Sequence, residues 1–188
     1  MTGWFETNRG RLNRREPAFE FLFNNLPKAP VIVETGSLRS PGNVDGDGNA
    51  TMLFDELTAA SGMVYSLDID AACGVNIEKH CGRQVQFVEG DSLDTIRLLA
   101  TRVKNIDLLY LDSLDVDFAH DELAAKHALT ECQYGLSMLS RRAFVAVDDN
   151  DDFGRGKGRL VEQFAELKGW PLVVDGYVKI WSCNNGYR

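Results

Sequence analysis

Val31-Ile32-Val33-Glu34-Thr35-Gly36 decides how this chain is read. Three apolar, β-branched residues run without alternation, as in a strand buried on both faces, and an acid and a glycine end the run. Just upstream, residues 16–26 carry Phe19, Leu22, Phe23 and Leu26 at helical spacing, with Pro17 suited to a first turn; Leu26-Pro27-Lys28-Ala29-Pro30 then stops that helix. The same strand-and-acid unit recurs downstream. Residues 64–67 lead into Asp68-Ile69-Asp70, 85–88 into Glu89-Gly90-Asp91-Ser92, 106–111 into Asp112, and 143–147 into Asp148-Asp149. Helical patterns over 50–60, 72–81, 92–103, 117–139 and 156–168 follow these strands in turn. At the end, 172–174 and 177–183 flank Asp175-Gly176, a hairpin signal.

Alternation of this kind predicts an α/β fold: a doubly wound, mostly parallel sheet of seven strands, closed by an antiparallel C-terminal hairpin. The 188 residues, 44% of them apolar, suit one domain. We read 1–28 as an N-terminal arm and helix and 29–188 as the domain proper. In the arm, Arg9, Arg11, Arg14 and Arg15 face only Glu6, which reads as a solvated segment or, as the alternative, as an arm over an anionic substrate. A net charge of −8 opposes binding to phosphate backbones, so no nucleic-acid partner is expected. No apolar run approaches the ~18 residues of a membrane span. Met1-Thr2-Gly3-Trp4-Phe5-Glu6 lacks the basic start and apolar middle of a signal peptide, so a cytoplasmic protein is expected. Cys73, Cys81, Cys132 and Cys183 form no C-x-x-C pair and read as reduced, mostly buried thiols.

In an open parallel sheet, ligands bind beyond the carboxyl ends of the strands. Here Glu34, Asp68, Asp91, Asp112 and Asp148-Asp149 stand at those ends. Acids are depleted from strands, so the set is not a chance one. A ring of acids does not suit phosphate, and no G-x-x-x-x-G-K-[ST] is present. It suits a ligand rich in hydroxyls and amines, a cation, or a divalent metal. Nor does G-x-G-x-x-G follow the first strand, which opposes a nicotinamide dinucleotide.

The ordered set of Val33-Glu34-Thr35-Gly36, Tyr65-Ser66-Leu67-Asp68, Gly90-Asp91-Ser92, Leu109-Tyr110-Leu111-Asp112 and Val145-Ala146-Val147-Asp148-Asp149, over residues 29–183, resembles the class I S-adenosylmethionine-dependent methyltransferases. The resemblance implies a Rossmann-like methyltransferase fold and S-adenosyl-L-methionine as cofactor. By position, Glu34, Thr35, Gly36 and Ser37 look like the motif around the methionine part. Gly48 is the preferred glycine of the loop that follows. Asp68 looks like the acceptor of both ribose hydroxyls, with Asp70 as its substitute. Asp91 and Ser92 look like the pair facing adenine, and Asp112 lies beside the transferred methyl.

Asp112 with Asp148-Asp149-Asn150 is similar to the pattern of catechol and macrocin O-methyltransferase-like enzymes, which implies Mg²⁺ on Asp112, Asp148 and Asp149 and a small-molecule oxygen as methyl acceptor. The alternative is that these acids cap helices or pair with Arg155 and Lys157. The segment 37–48 is long for this family; it reads as a lid, a specificity element or a mobile surface loop. As general base, His120 is the candidate alongside Asp112, against a solvated helix-start histidine, with Asp115 and Lys157 as alternatives. On the expected 117–139 helix, His120, Ala124, His127 and Glu131 share a face opposite the apolar one, and His127 lies about 10 Å beyond His120. Asp112-Ser113-Leu114-Asp115 stands where base-directed families carry N/D-P-P-Y/F, which disfavours methylation of nucleic-acid amines. Two rival readings remain at this level: a nucleotide-dependent oxidoreductase, and a non-catalytic module acting by association through the arm. Self-association is left open.

Overall fold

The computed structural model describes residues 3–151 and 153–184. Met1 and Thr2 of the arm, Asp152 of the 150–158 loop and residues 185–188 lie outside the described residues.

The expected strands pair into one seven-stranded sheet. They are β1 (Val31–Thr35), β2 (Met63–Asp68), β3 (Val85–Glu89), β4 (Ile106–Leu111), β5 (Leu139–Val147), β6 (Leu172–Val174) and β7 (Lys179–Ser182), in the order β3-β2-β1-β4-β5-β7-β6. The first five are parallel, and β7 runs antiparallel to both β5 and β6. The helices are α1 (Trp4–Asn8), α2 (Glu16–Asn25), α3 (Ala50–Thr58), α4 (Ala71–His80), α5 (Ser92–Leu99), α6 (Glu122–Gly135) and α7 (Gly158–Lys168).

Period-two alternation divides the strand side chains between two apolar layers. Ile32, Leu108 and Tyr110 pack with Phe19, Leu22, Leu53 and Phe54 of α2 and α3. Their neighbours Val33, Leu109 and Leu111 pack with Ile96, Ala128, Cys132 and Val161 of α5, α6 and α7. Both faces of the sheet are therefore covered, which is why the central strands read as unbroken apolar runs.

Four expectations are corrected. The helix expected over 117–139 begins at Glu122 and gives way at Leu136 to a 3₁₀ turn and β5. Upstream, the Asp117 carboxylate accepts from the Ala119 amide and the Asp117 carbonyl from that of His120, closing a local turn that does not propagate. The arm is only partly solvated: Phe5 and Leu12 are buried in the α2–α3 layer and Arg9 pairs with Glu16 and Glu20, while Arg11 and Arg14 stay exposed. The 37–49 segment is anchored rather than mobile, with Leu38 and Val44 buried and the Asn49 side-chain amide donating to the carbonyls of Ser40, Asn43 and Gly46. Last, β7 starts at Lys179 because the Tyr177 carbonyl is bonded to Asn150, so residues 175–178 form a longer connection than a two-residue turn.

Candidate functional site

Backbone pairing continues one step past the strand ends. The Gly36 amide donates to the Leu67 carbonyl, Gly90 to Asp68, Asp112 to Thr35 and Asp148 to Leu111. This aligns the acids and glycines along one edge, at the point between β1 and β4 where the winding of the chain reverses. Gly36 has φ +79°, and a Cβ there would stand 2.3 Å from the Asp112 carbonyl oxygen, so only glycine lets the two turns meet.

Two adjoining hollows occupy this edge. One, of about 170 Å³, is lined by Gly36, Asp68, Ile69, Asp91, Ser92 and His127, among others. The other, of about 250 Å³, includes Gly36, Ser37, Gly48, Asp68, Asp70 and Asp112 in its wall. Asp68 is fixed between them: Oδ2 accepts from the Ser37 amide and Oδ1 from the Asp70 amide, both at 2.9 Å. Each oxygen keeps a further lone pair for a ligand hydroxyl. Asp70 and Asp91 cap α4 and α5 through the amides of Ala72 and Leu93. On the far wall, His127 Nε2 lies 2.9 Å from the Ser92 hydroxyl and 3.2 Å from Glu131 Oε1, which also accepts from the Ser113 hydroxyl. The hydrogen bond with Glu131 raises the pKa of His127.

Beside Asp112, a second arrangement gathers the acids of β4 and β5. Lys157 Nζ sits 2.6 Å from Asp112 Oδ1 and 2.7 Å from Asp149 Oδ2, with only 2% of its side chain exposed. Arg15 Nε lies 2.8 Å from Asp148 Oδ2 and its Nη2 3.3 Å from Asp149 Oδ1. The hydroxyls of Tyr110 and Tyr177 donate to Asp148 and Asp149, each at 2.6 Å. Burial pushes the Asp112 carboxyl up to about 7, against the pull of Lys157. Burial would lower Lys157, but Asp112 and Asp149 outweigh it and hold the ammonium above its ordinary value.

No family pattern and no curated protein matches the chain. Solved structures do. MycE, a methyltransferase of the mycinamycin biosynthetic pathway determined with Mg, SAH and mycinamycin VI, superposes with TM-score 0.58 at 12% identity, over 98% of this chain and 51% of that one. The O-methyltransferase NovP gives 0.63 at 17%, over 92% and 78%. NSun6 from Pyrococcus horikoshii with SFG gives 0.63 at 13%, over 89% and 51%. The fold is that of the class I S-adenosylmethionine-dependent methyltransferases. The chain spans about half the length of MycE and NSun6.

On this methyltransferase fold, the structure brings Gly36, Ser37, Gly48, Asp68, Asp70, Asp91, Ser92 and Asp112 to the cleft wall. Glu34 and Thr35 are not there. Glu34 is 1% exposed and accepts from the Thr51 hydroxyl in the first turn of α3; burial raises its pKa to about 8. Thr35 is buried, and its hydroxyl accepts from the Asp112 amide. Gly48 packs so close to the Ser37 carbonyl that a Cβ would overlap it. His120 lines neither hollow: with the helix starting at Glu122, it stands 84% exposed and paired with Asp117. The helical spacing puts His127 opposite the apolar face, about 10 Å beyond His120 and too far to share one metal with it. The face it shares with Ala124 and Glu131 instead turns inward, where both of those residues are buried. The cation pairing of the acids with Lys157 was foreseen as an alternative; the part of Arg15, Tyr110 and Tyr177 was not.

Asp112 and Asp149 meet at Lys157, and Asp148 and Asp149 at Arg15, but this donor set does not fit Mg²⁺ as it stands. Lys157 and Arg15 already bind the carboxylates, and among the described residues no group of three or more His, Cys, Asp or Glu side chains is arranged to hold a metal ion.

Proposed function

We propose that the chain is an S-adenosylmethionine-dependent methyltransferase that methylates a hydroxyl oxygen of a small molecule. The observation that carries the reading is the cleft at the reversal point. There a glycine turn meets the Asp112 backbone, and a doubly anchored Asp68 faces the space between Ser37 and Asp91. S-adenosylmethionine, when bound, supplies an electrophilic methyl on a sulfonium. Asp68 would take the ribose hydroxyls, Asp91 and Ser92 the adenine edge, and the acid-lined cleft the cationic end of the methionine part. Ile69 and Leu114 would cover the ring faces.

Asp112 stands where cleft and cation-bound acids meet, next to a small hollow closed by Arg15, Val44, Gly46 and Asn49. With its pKa near 7, it would accept the proton that an attacking hydroxyl loses. Holding that oxygen in line, roughly 3 Å from the methyl carbon, is the remaining task of the residues around Asp112. A small acceptor is supported by the net charge of −8 and by the NovP and MycE likenesses; NSun6 keeps an RNA acceptor as the outcome to be tested against it.

Calorimetry with S-adenosylmethionine and S-adenosylhomocysteine tests the proposal. Both are expected to bind, and Asp68→Ala to weaken them by about tenfold to a hundredfold, the worth of hydrogen bonds to a charged group. Absence of heat from either ligand at millimolar concentration would remove the reading.

A further inference from the structure

The acids at the ends of β4 and β5 meet at side-chain cations rather than at a metal. Lys157 Nζ bridges an oxygen of Asp112 and one of Asp149 at 2.6 and 2.7 Å, linking the ends of two adjacent strands. Mg²⁺ needs oxygen donors at about 2.0–2.1 Å in near-octahedral order. With the ammonium in contact with both acids and sealed from water, those donors are taken. Asp148 is taken as well, by Arg15 and by the Tyr110 hydroxyl. Lys157 and Arg15 together bring two positive charges, the same charge as one divalent ion.

The local chain path is built to deliver this lysine. Asn150 and Gly156 pair across the loop after β5. Gly156 has φ +116°, and a Cβ there would stand 2.2 Å from the Asp149 carbonyl oxygen, so a glycine is required for the loop to fold back this tightly. The Asn150 side chain then accepts from the Gly158 amide and donates to the carbonyls of Val147 and Tyr177, which ties the residue after Lys157 to the end of β5.

We infer that Lys157 is a resident cation standing where a divalent ion would otherwise be held, and that it positions Asp112 and Asp149 without metal. The consequence for chemistry rests on the methyltransferase reading above. Transfer would proceed unchanged in a chelator. The acceptor would then be a compound offering a single hydroxyl to Asp112, rather than a vicinal diol that needs two sites on a metal.

Electron paramagnetic resonance of Mn²⁺, titrated into the full chain, tests the inference without any assumption about activity. The parent protein and Lys157→Arg are expected to leave the free-ion spectrum unchanged up to millimolar Mn²⁺. Lys157→Ala is expected to bind Mn²⁺ at least tenfold more tightly than the parent, with Mg²⁺ displacing it. The inference is overturned if the parent binds Mn²⁺ below millimolar concentration and Asp149→Asn abolishes that binding. It is equally overturned if Lys157→Ala, folded by circular dichroism, binds no better than the parent. Should Lys157→Ala fail to fold, the parent and Asp149→Asn titrations decide alone. A parallel titration with S-adenosylhomocysteine separates the two readings: its failure beside the expected Mn²⁺ pattern sinks the activity and leaves the lysine's role intact.

Discussion

Glu34 shows how a residue recognised from its place in a motif can serve the fold rather than the cleft wall. Its carboxyl is buried against the start of α3, bonded to the Thr51 hydroxyl, and burial raises its pKa to about 8. The native state therefore holds the proton more tightly than the unfolded chain, whose value is near 4.5. Between these values the unfolded state binds fewer protons, so stability falls as pH rises through the window and levels off above about 8. Glu34→Gln keeps an acceptor for Thr51 and removes the charge. It is expected to match the parent at the acid end of the window and to exceed it by on the order of 2 kcal/mol above it, with burial discounted for relaxation around the site. Urea unfolding of both proteins across the pH range measures this. A gap that stays constant with pH would show that Glu34 does not titrate in the window.

At the scale of elements, the sheet was legible because buried parallel strands announce themselves as short apolar runs closed by turn residues. Residues 31–35, 64–68, 85–89 and 106–111 appear in the structure nearly as read. The start of α6 was not legible. Asp117-Phe118-Ala119-His120-Asp121 continues the helical spacing, but the Asp117 side chain, bonded to the Ala119 amide, closes a local turn there instead. That displacement took His120 out of the site and left His127 at the cleft. The cation-bound acids were half legible. Their presence followed from strand order, but contacts between Arg15 and Asp148, far apart in sequence, require the folded arm. The arm is hard to read because its four arginines dominate the pattern of residues 1–15, although Phe5 and Leu12 carry the packing. Leu12→Ala is therefore expected to cost about 2–4 kcal/mol, the price of an unfilled core position. A solvated arm would tolerate the change within about 0.5 kcal/mol. Chemical denaturation of the variant separates the two.

At the scale of the whole molecule, one edge of the sheet holds two kinds of acid. Those at the β1–β2–β3 end, Asp68, Asp70 and Asp91, are held by backbone amides and face the cleft. Those at the β4–β5 end are bound by internal cations. The cleft is thus lined by carboxylates on a chain of net charge −8, which on the proposed reading would favour a cationic nucleoside over a polyanion. A ligand that binds only the native state at a hundred times its dissociation constant adds about 2.7 kcal/mol. For a chain of this size that corresponds to a rise of roughly 5–10 °C in the thermal midpoint. S-adenosylhomocysteine is expected to produce such a rise, and Asp68→Ala to lose it. Single-stranded RNA is expected to leave the midpoint unmoved at physiological salt. A midpoint raised by RNA, and lowered again by added salt, would instead move the proposed acceptor from small molecules to nucleic acid and leave the proposed cofactor reading of the cleft standing.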